Sequence, residues 1–393
     1  MRIVFFLSRV PWPLDKGDKL RAYYQIKYLS ANHEIILIAL SDNAVPEVAE
    51  RVLLQYCKEV FFLKLNKLGQ AINIMKSAVT GNPFQVGYFY NKSIFKQASH
   101  IINTRKPDVV FFQLVRTAKY AKGLNYRKVI DYQDALSEGL KRRLKTEKGL
   151  FGLILRSEYK RMLRYEEKIF DIFDEHIIIT EADRDHIPHP GRNHIKVIPN
   201  GINTTKFHPR DIDKRYDIIF AGNMNYPPNV DAAVFLAKEI FPRIKSSIPG
   251  AKLLLAGANP AYAVSSLQSD DIKVTGWVED IAESYASAKV FIAPMRIGTG
   301  LQNKLLEAMA TGLPCVTTTL ANNALKAKDN SGILIGNTAA ELANAAIKLL
   351  SDSDLHKTIS AGGRNYVLDN FSWENISRSL EDILKNTIPT PDV

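Results

Sequence analysis

The sequence is poor in cysteine and has no long apolar run. Its 393 residues include two cysteines, Cys57 and Cys315, which lie far apart and without histidine neighbours. A disulfide framework and a zinc ribbon are therefore excluded. No window reaches about 18 uninterrupted apolar residues, so no segment is expected to span a bilayer. The opening apolar run at 3–7 is too short for a signal-peptide core, and we expect a cytoplasmic protein.

The eight histidines show no HExxH or other paired spacing, so a metal hydrolase is not expected and no metal or cofactor is predicted. Hydrophobic residues make up 46% of the chain and charged residues 24%, which excludes disorder and predicts a sizeable core. At roughly 150 residues per domain, the length predicts two or three domains. The net charge of +11 is uneven, since residues 1–200 carry +12 and residues 201–393 carry −1. This indicates two domains with different partners.

Short apolar runs typical of buried parallel strands alternate with helical patterns along the chain. A strand at 3–7, a glycine-bearing loop, a helix and a strand at 34–40 predict a right-handed βαβ unit. Further strands are predicted at 60–63, 109–112, 128–131, 176–180, 217–221, 252–256, 272–275, 289–293, 314–318 and 332–335. Helices are predicted around 230–244, 280–287, 301–311, 339–351 and 373–385. The turn residues at 198–203 indicate a linker between two α/β domains, each a doubly wound parallel sheet.

In an open parallel sheet, ligands bind at the carboxyl ends of the strands. The strongest candidate site follows the strand at 289–293, where a glycine-rich loop leads into a helix. Gly298 and Gly300 let backbone amides approach an anion, and the helix N-terminus adds a favourable dipole. Arg296 and Lys304 flank this place as cations, and Glu307 follows about one turn into the helix, where its carboxylate accepts hydrogen bonds from sugar hydroxyls. A diphosphate with an attached ribose uses all of these groups.

The alternative interpretation of this segment is an ordinary helix start. The sequence GTGLQN at 298–303 is only a near-miss to the dinucleotide fingerprint, because Asn303 stands where the third glycine belongs.

Two further candidates follow strands of the first domain. Lys16, Gly17, Asp18 and Arg21 lie where the first strand leads into the first helix, and the alternative there is an ordinary N-cap by Asp18. Carboxylates also follow the strand at 128–131. Asp131 and Asp134 are candidates for binding an acceptor, or they cap the helix that begins near residue 135.

Basic residues surround a compact apolar run, GLFGLIL, within the segment 141–168. This arrangement is typical of a helix lying on anionic lipid, and it predicts attachment to the inner face of the membrane. A solvated basic helix with one buried face is the alternative. Nucleic acid is not a predicted partner, because no aromatic residues interleave the charges and no known binding module accompanies them.

Several segments resemble a known family. They are VIPNGINTTKFHP (197–209), DIIFAGNMNYPPNVDAAVFLAKEIFP (217–242), LLLAGANP (253–260), 274–318 around PMRIGTGLQNKLLEAMATG, and NFSWENI (370–376), with LSRVPWPLDKGDKLRAYYQIKYLS (7–30) and VIDYQDALS (129–137) in the first half. They are similar to glycosyltransferase family 4, the retaining GT-B enzymes, and to the sugar transferases of bacterial exopolysaccharide systems.

The resemblance implies a GT-B fold, in which two Rossmann-like domains face a cleft that holds a nucleotide-diphosphate sugar. It implies a first domain at 1–196, joined by a crossover helix at 373–393, and a donor-binding domain at 197–372. By the family pattern, Glu307 binds the ribose hydroxyls, the amides of 300–303 bind the diphosphate, and the segment near Trp277 binds the base. The full set of implied donor contacts is Gly17, Gly222, Trp277, Val278, Gly298, Thr299, Gly300, Leu301, Gln302, Asn303 and Glu307.

Three departures from the family pattern change the expected roles. The first of the family's two glutamates is missing, since Gly298 and Thr299 occupy its region, and the basic pair after the first strand of the second domain is absent at Gly222. We therefore expect Arg296 and Lys304 to neutralise the leaving diphosphate and to act as the catalytic cations. Gln113 stands where the family often has a histidine, and it joins the candidates on the acceptor side.

The predicted function is a retaining glycosyltransferase of cell-surface or exopolysaccharide biosynthesis. It moves a sugar from a UDP- or GDP-sugar to a saccharide or lipid-linked acceptor without a metal. A nucleotide-sugar epimerase of the same fold and a non-catalytic nucleotide-sugar-binding protein are the alternatives.

Overall fold

The computed structural model describes residues 1–144, 147, 149–297 and 300–386. The chain forms two compact units. The first unit comprises Met1–Asn200 with the segment from Ile376 onward, and the second comprises Gly201–Asn375. Within the described residues, no helix combines the length and the apolar content that a bilayer-crossing segment requires.

The first unit is built on a seven-stranded parallel sheet in the order β3-β2-β1-β4-β5-β6-β7. Its strands are β1 (Arg2–Leu7), β2 (Glu34–Ser41), β3 (Glu59–Lys64), β4 (Val109–Gln113), β5 (Arg127–Asp131), β6 (Glu175–Ile178) and β7 (Lys196–Val197). In the register of the central strands, Val4 of β1 lies between Ile36 of β2 and Val110 of β4. These strands read as continuous apolar runs because helices cover both faces of the sheet.

The helices of the first unit follow its strands. They are α1 (Gly17–Leu29), α2 (Glu47–Leu53), α3 (Lys67–Thr80), α4 (Phe84–Phe89), α5 (Lys92–Arg105), α6 (Leu136–Leu144), α7 (Gly149–Phe170) and α8 (Glu181–His186), with 3₁₀ turns at Val115–Ala121 and Pro190–His194. The core on one face of the sheet is aromatic, since Phe6 packs on Phe112 and on Tyr120 with ring centroids 5.5 and 4.7 Å apart.

The second unit repeats this plan with a six-stranded parallel sheet in the order β10-β9-β8-β11-β12-β13. Its strands are β8 (Tyr216–Ala221), β9 (Leu253–Ala256), β10 (Ile272–Val274), β11 (Ala288–Ala293), β12 (Cys315–Thr317) and β13 (Leu334–Ile335). Its helices are α9 (Pro227–Phe235), α10 (Phe241–Ser247), α11 (Tyr262–Ser265), α12 (Ile281–Ala286), α13 (Asn303–Ala310), α14 (Thr319–Leu325), α15 (Ala339–Ser351), α16 (Ser353–Phe371) and the start of α17 (Trp373–Asn386). The predicted α/β class with two parallel sheets is confirmed.

Local hydrogen bonding moves several predicted boundaries. The strand predicted at 176–180 ends at Ile178, because the Thr180 side chain caps α8 by accepting from the Asp183 amide. The helix predicted to begin at residue 301 begins at Asn303, since Gln302 is extended. The helix predicted at 230–244 is divided by a π-helical turn at Leu236–Ile240.

The boundaries between the two units lie at 200/201 and 375/376, whereas the predicted boundaries were 196/197 and 372/373. β7 extends the first sheet through Val197 by pairing with β6. Gly201 lies so close to the Trp373 ring that a Cβ there would be 2.6 Å from it. The Ile202 amide donates to the Phe371 carbonyl at 2.7 Å. These contacts keep residues 201–202 and 371–373 together in the second unit, while α17 continues into the first, where Glu381 lies 3.0 Å from the His33 ring nitrogen.

A buried ion pair fixes the carboxyl edge of the first sheet. Arg21 of α1 donates from Nε to Asp131 at 2.6 Å, and both side chains are fully buried. The backbone amide of Gln133 donates to the other Asp131 oxygen at 3.0 Å, and Arg21 also donates to the Pro199 carbonyl at 3.0 Å. The pair therefore ties α1 to the end of β5 and to the last residues before the second unit.

Replacing Asp131 with Asn leaves the Arg21 guanidinium buried without a counter-charge. We expect this change to lower the free energy of unfolding by about 3–5 kcal/mol, since removing one partner of a buried pair exposes the full desolvation cost of the other. Urea unfolding followed by circular dichroism measures the loss. Glu59→Gln is the matched control, because the Glu59–Arg105 pair is about one-third exposed and solvent-exposed pairs contribute little to stability. Equal losses in the two variants would contradict the structural role of the buried pair.

Candidate functional site

A depression of about 240 Å³ lies at the carboxyl ends of β8 and β9 in the second unit. This is the edge at which open parallel sheets bind ligands. It brings together residues that are far apart in sequence. The lining residues are Ala221, Gly222, Asn223, Gly257, Ala258, Trp277, Val278, Ile281, Tyr285, Lys304 and Glu307.

Two glycines bring the backbone close together at the base of this depression. A Cβ on Gly257 would lie 1.8 Å from the Gly222 carbonyl oxygen, and a Cβ on Gly222 would lie 2.7 Å from the side-chain nitrogen of Asn229. No side chain fits at either position. The sequence predicted a contact at Gly222, and the structure adds Gly257, the residue that follows β9.

Lys304 supplies the positive charge of the depression. Its ammonium donates to the Asn229 side-chain oxygen at 2.5 Å and lies 5.2 Å from the centre of the Phe220 ring. Burial disfavours the charged form and lowers the pKa of Lys304 from 10.5 to about 8, although the nearby Glu307 carboxylate opposes this shift. The side chain therefore remains mostly protonated at neutral pH, as a cation whose nearest hydrogen-bond partner is a neutral amide.

Glu307 lies one turn further along α13 and supplies the carboxylate. The Tyr285 hydroxyl donates to its Oε2 at 2.8 Å. Burial raises the pKa of Glu307, while the Tyr285 hydrogen bond and the positive charges of Lys206 and Lys304 act in the opposite direction. A carboxylate fixed in this way is suited to accept hydrogen bonds from ligand hydroxyls.

Trp277 and Val278 line the depression after the end of β10. Trp277 is 74% exposed, which is unusual for the largest apolar side chain. The preceding Gly276 has a φ of +71°, so the chain turns sharply there and presents Trp277 beside the depression. The depression thus combines a cation for phosphate, a carboxylate for hydroxyls and an aromatic surface for a planar ring.

The N-terminus of α13 adjoins these groups through Lys304. Gln302 stands at the N-cap position, but its side chain makes no capping hydrogen bond to the helix and donates instead to the Gly300 carbonyl at 2.9 Å. Gly300 and Leu301 belong to the loop before the N-cap, and Asn303 is the first residue of the helix. Gly298 and Thr299, which the sequence also assigned to the donor, lie outside the described residues.

Arg296 does not line the depression, in contrast to the prediction that it acts beside Lys304. Its guanidinium donates twice to the Asp231 carboxylate, at 2.6 and 3.0 Å, and stacks on the Phe235 ring at 4.2 Å. The side chain is nearly half exposed. Asp231 lies on α9, four residues before this helix ends at Phe235, and the bidentate pair with its carboxylate holds Arg296 on this helix.

Three of the acceptor-side candidates of the first unit have structural partners instead of a free face. Arg21 and Asp131 form the fully buried ion pair described above, so neither is available to a ligand. Gln113 is buried, and its amide donates to the Asp18 carbonyl at 3.0 Å. Sequence spacing had placed these polar groups correctly at the sheet edge, but it could not show that they satisfy one another.

The remaining candidates of the first unit are Lys16, Gly17, Asp18 and Asp134, and they differ in exposure and in partners. Asp18 accepts from Arg9 at 2.7 Å and is not the N-cap of α1, because Lys16 occupies that position. Lys16 and Gly17 are exposed, and a Cβ on Gly17 would meet open space. Asp134 is exposed at its surface, and partial desolvation of its carboxyl, with the Asp183 carboxylate adding to the shift, raises its pKa to about 6.

Sequence reasoning missed Asn229, Tyr285 and Gly257. Asn229 is buried and joins two parts of the site, since its oxygen accepts from Lys304 and its nitrogen donates to the Asn223 carbonyl at 2.9 Å. Tyr285 reaches Glu307 from α12. The glycine that ends the strand LLLAG was a visible signal for Gly257, but nothing in the spacing of Asn229 or Tyr285 indicated their partners.

Comparison with known proteins agrees with this geometry. The family described as "Glycosyl transferases group 1" matches residues 215–352, which contain the whole depression. The chain is 21% identical to an "Uncharacterized 44.6 kDa protein in cps region" of Klebsiella pneumoniae, over 96% of this chain and 98% of that protein. It is 24% identical to a GDP-mannose-dependent alpha-(1-6)-phosphatidylinositol monomannoside mannosyltransferase of Mycobacterium tuberculosis, over 49% of this chain and 56% of that enzyme.

The fold is shared with a solved structure across its whole length. Anabaena Alr3699/HepE in complex with UDP superposes with a TM-score of 0.67 and 14% identity, covering 98% of this chain and 100% of that one. Both sheets and their helices thus have counterparts in a GT-B protein. The chain therefore has the GT-B fold, and its second unit matches the group 1 glycosyl transferase family over residues 215–352.

Proposed function

We propose that this chain is a retaining glycosyltransferase that moves a sugar from a nucleoside-diphosphate sugar to a saccharide or lipid-linked acceptor in cell-surface polysaccharide or glycolipid synthesis. The observation that carries the proposal is the convergence of Lys304, Glu307 and Trp277 on one depression at the carboxyl edge of the second sheet. A nucleoside diphosphate uses all three groups. The similarity to a GDP-mannose-dependent enzyme with a lipid acceptor, and to a protein that binds UDP, supports this class of donor and acceptor.

The proposed arrangement assigns one part of the donor to each group. The diphosphate lies against the Gly222 backbone and Lys304, where the glycines permit close approach and the first turn of α13 adds its dipole. Glu307 accepts hydrogen bonds from the ribose hydroxyls, and Trp277 stacks on the base beside Val278. Glycine, cation, carboxylate and indole all come from one unit, so donor binding depends on that unit's own fold.

The proposed chemistry places the main catalytic burden on Lys304. The bond between the sugar's anomeric carbon and the diphosphate oxygen breaks, and negative charge develops on the β-phosphate. Because the ammonium is largely buried, its attraction to this charge is much stronger than in water. The acceptor hydroxyl attacks from the face that the diphosphate leaves, and its proton passes to the departing phosphate. In this proposal the fixed lysine, not a metal ion, neutralises the leaving group.

The decisive experiment incubates the purified chain with individual UDP- and GDP-sugars and analyses the products. Transfer to a saccharide or lipid-linked acceptor with the anomeric configuration of the donor retained, in the presence of EDTA, supports the proposal. Conversion of the sugar nucleotide without any acceptor would instead identify an epimerase. Nucleotide-sugar binding without turnover would identify a binding protein.

Lys304→Ala should lower turnover by about a hundredfold to a thousandfold, the range seen when one preorganised charge-stabilising donor is removed from an active site. Steady-state transfer assays at saturating donor measure this loss. The matched control is Arg296→Ala, which removes a cation from the segment between β11 and α13. Since Arg296 is paired with Asp231 outside the depression, we expect its loss to change turnover by less than about fivefold.

The comparison of the two variants discriminates between the two cations. A large loss in Arg296→Ala with near-normal transfer by Lys304→Ala would contradict the assignment of the leaving-group role to Lys304. Thermal unfolding of both variants checks that the second unit remains folded, and a matched melting temperature attributes any difference in turnover to the site.

The affinity for UDP or GDP should decline as the pH rises through about 8. The pKa of Lys304 is lowered to about 8 by burial, so its positive charge is present below this pH and lost above it. The terminal phosphate of the nucleotide, with a second pKa near 6, is already fully ionised there. If the ligand binds only the protonated lysine, the dissociation constant rises about tenfold per pH unit above this value.

Isothermal titration calorimetry at pH values from 6.5 to 10, in steps of about half a pH unit, measures the dissociation constant across this range. Lys304→Arg is the control, because a guanidinium keeps its charge across the range. A wild-type profile as flat as that of Lys304→Arg would rule out the lysine ammonium as the group that holds the diphosphate.

A further inference from the structure

Helix α3 of the first unit buries a polar face. Gln70 donates to the Asp42 carboxylate at 2.7 Å, and Asn73 donates to the Tyr90 carbonyl at 2.6 Å. Ser77 is buried against α4, where a Cβ on Gly87 would lie 2.1 Å from its hydroxyl oxygen. The side of α3 that packs on the protein is therefore held by amides and a hydroxyl, the reverse of an ordinary surface helix.

The opposite face of α3 is apolar and exposed. Leu68, Ile72, Met75 and Val79 follow one another at spacings of four, three and four residues, which places them in one row along the helix. They are 69%, 39%, 64% and 89% exposed. A soluble helix normally turns such a row toward the core, whereas this row faces away from it and is open to an apolar partner.

Helix α7 carries a second row with the same spacing. Leu150, Ile154, Ser157 and Arg161 share one face, and the first two are 76% and 48% exposed. Phe151 and Leu153 add further exposed apolar surface beside them. Fifteen large apolar side chains are exposed in the described part of the chain, and eight of them lie on α3 and α7.

Arg161 joins the two rows. Its guanidinium donates to the carbonyls of Ser77 and Ala78 at the end of α3, and its Nε donates to Ser157 on its own helix. The face of α7 that contacts α3 at Arg161 is the face that continues to Ile154 and Leu150. The α3 row ends at Val79, one residue beyond Ala78. We call these two rows together the α3–α7 surface.

The charges around this surface are mostly positive, although Glu167 is exposed on α7 and Glu138 of α6 pairs with Lys141. α3 contains two lysines, Lys67 and Lys76, and no acidic residue. Arg156 and Lys160 are exposed on α7, whereas Glu158 of the same helix is buried and accepts from the amides of Phe84 and Gln85. The exposed basic residues of α6 add Lys141, Arg142 and Arg143. Lys145 and Lys148, which belong to the basic segment in the sequence, lie outside the described residues.

We propose that the α3–α7 surface binds an anionic lipid bilayer. The acyl region of the facing leaflet accepts the apolar side chains, and its anionic phosphate headgroups attract the exposed basic residues beside them. The proposal extends the membrane segment predicted from sequence, which comprised only 141–168, to a second helix with the more complete apolar row. A protein partner or a second copy of the chain has no comparable requirement for an excess of positive charge.

Liposome flotation of the full-length chain tests the proposal. We expect the chain to float with vesicles of phosphatidylglycerol and phosphatidylcholine, and to float less with phosphatidylcholine alone or at high salt. The double variants Leu68→Ser/Met75→Ser on α3 and Leu150→Ser/Ile154→Ser on α7 should each reduce the bound fraction at limiting lipid by about tenfold or more, since two inserted side chains are lost from each row.

The matched control is Val48→Ser/Leu54→Ser, which removes two exposed apolar side chains at α2 of the same unit, 56% and 48% exposed. It should float like the wild type. A wild type that stays at the bottom with anionic vesicles overturns the proposal. A loss confined to the α7 variant overturns the assignment of α3. A dimer in sedimentation velocity that both row variants dissociate, without vesicle binding, would show that a second copy covers this surface.

Discussion

The contact between Lys304 and Asn229 is the interaction on which the site depends. A shift in pKa from 10.5 to about 8 corresponds to about 3 kcal/mol in favour of the neutral lysine. The fold holds this cation against a neutral amide, and the nearest carboxylate, Glu307, is engaged by Tyr285. The ammonium is thus desolvated without being fully compensated, and in the proposed function a phosphate group of the donor supplies the missing negative charge.

The geometry around this cation follows from the sheet. β8, β9 and β10 end at the same edge, and each is followed by a residue of the depression: Gly222, Gly257 and, after Gly276, Trp277. The backbones of the two glycines pack closely, and because neither residue carries a Cβ, the space beside them stays open to a ligand. α13 then brings Lys304 and Glu307 to the same edge from β11. The depression of the second unit therefore needs few specialised residues beyond those at the ends of its strands.

The two units differ in how they use polar groups. In the first unit, the polar residues at the carboxyl edge satisfy one another, as in the Arg21–Asp131 pair, and the exposed chemistry lies on the helices instead. α3 shows this most clearly, with amides packed inward and an apolar row outward. The apolar run of α7 is visible in the sequence, where seven apolar or glycine residues adjoin. The α3 row is not, because polar and small residues separate its members and the pattern resembles an ordinary amphipathic helix.

The sequence by itself determined the α/β class, the succession of strands, and the segment around α13 that carries Lys304 and Glu307, because buried parallel strands and glycine loops are local patterns. Tertiary structure alone decided the partners. It paired Arg296 with Asp231 outside the depression, joined Lys304 to Asn229 across 75 residues, and closed Arg21 onto Asp131 across 110. The reason is physical: spacing along the chain fixes which face or edge a side chain occupies, whereas the hydrogen bond that satisfies it depends on elements that meet only after folding.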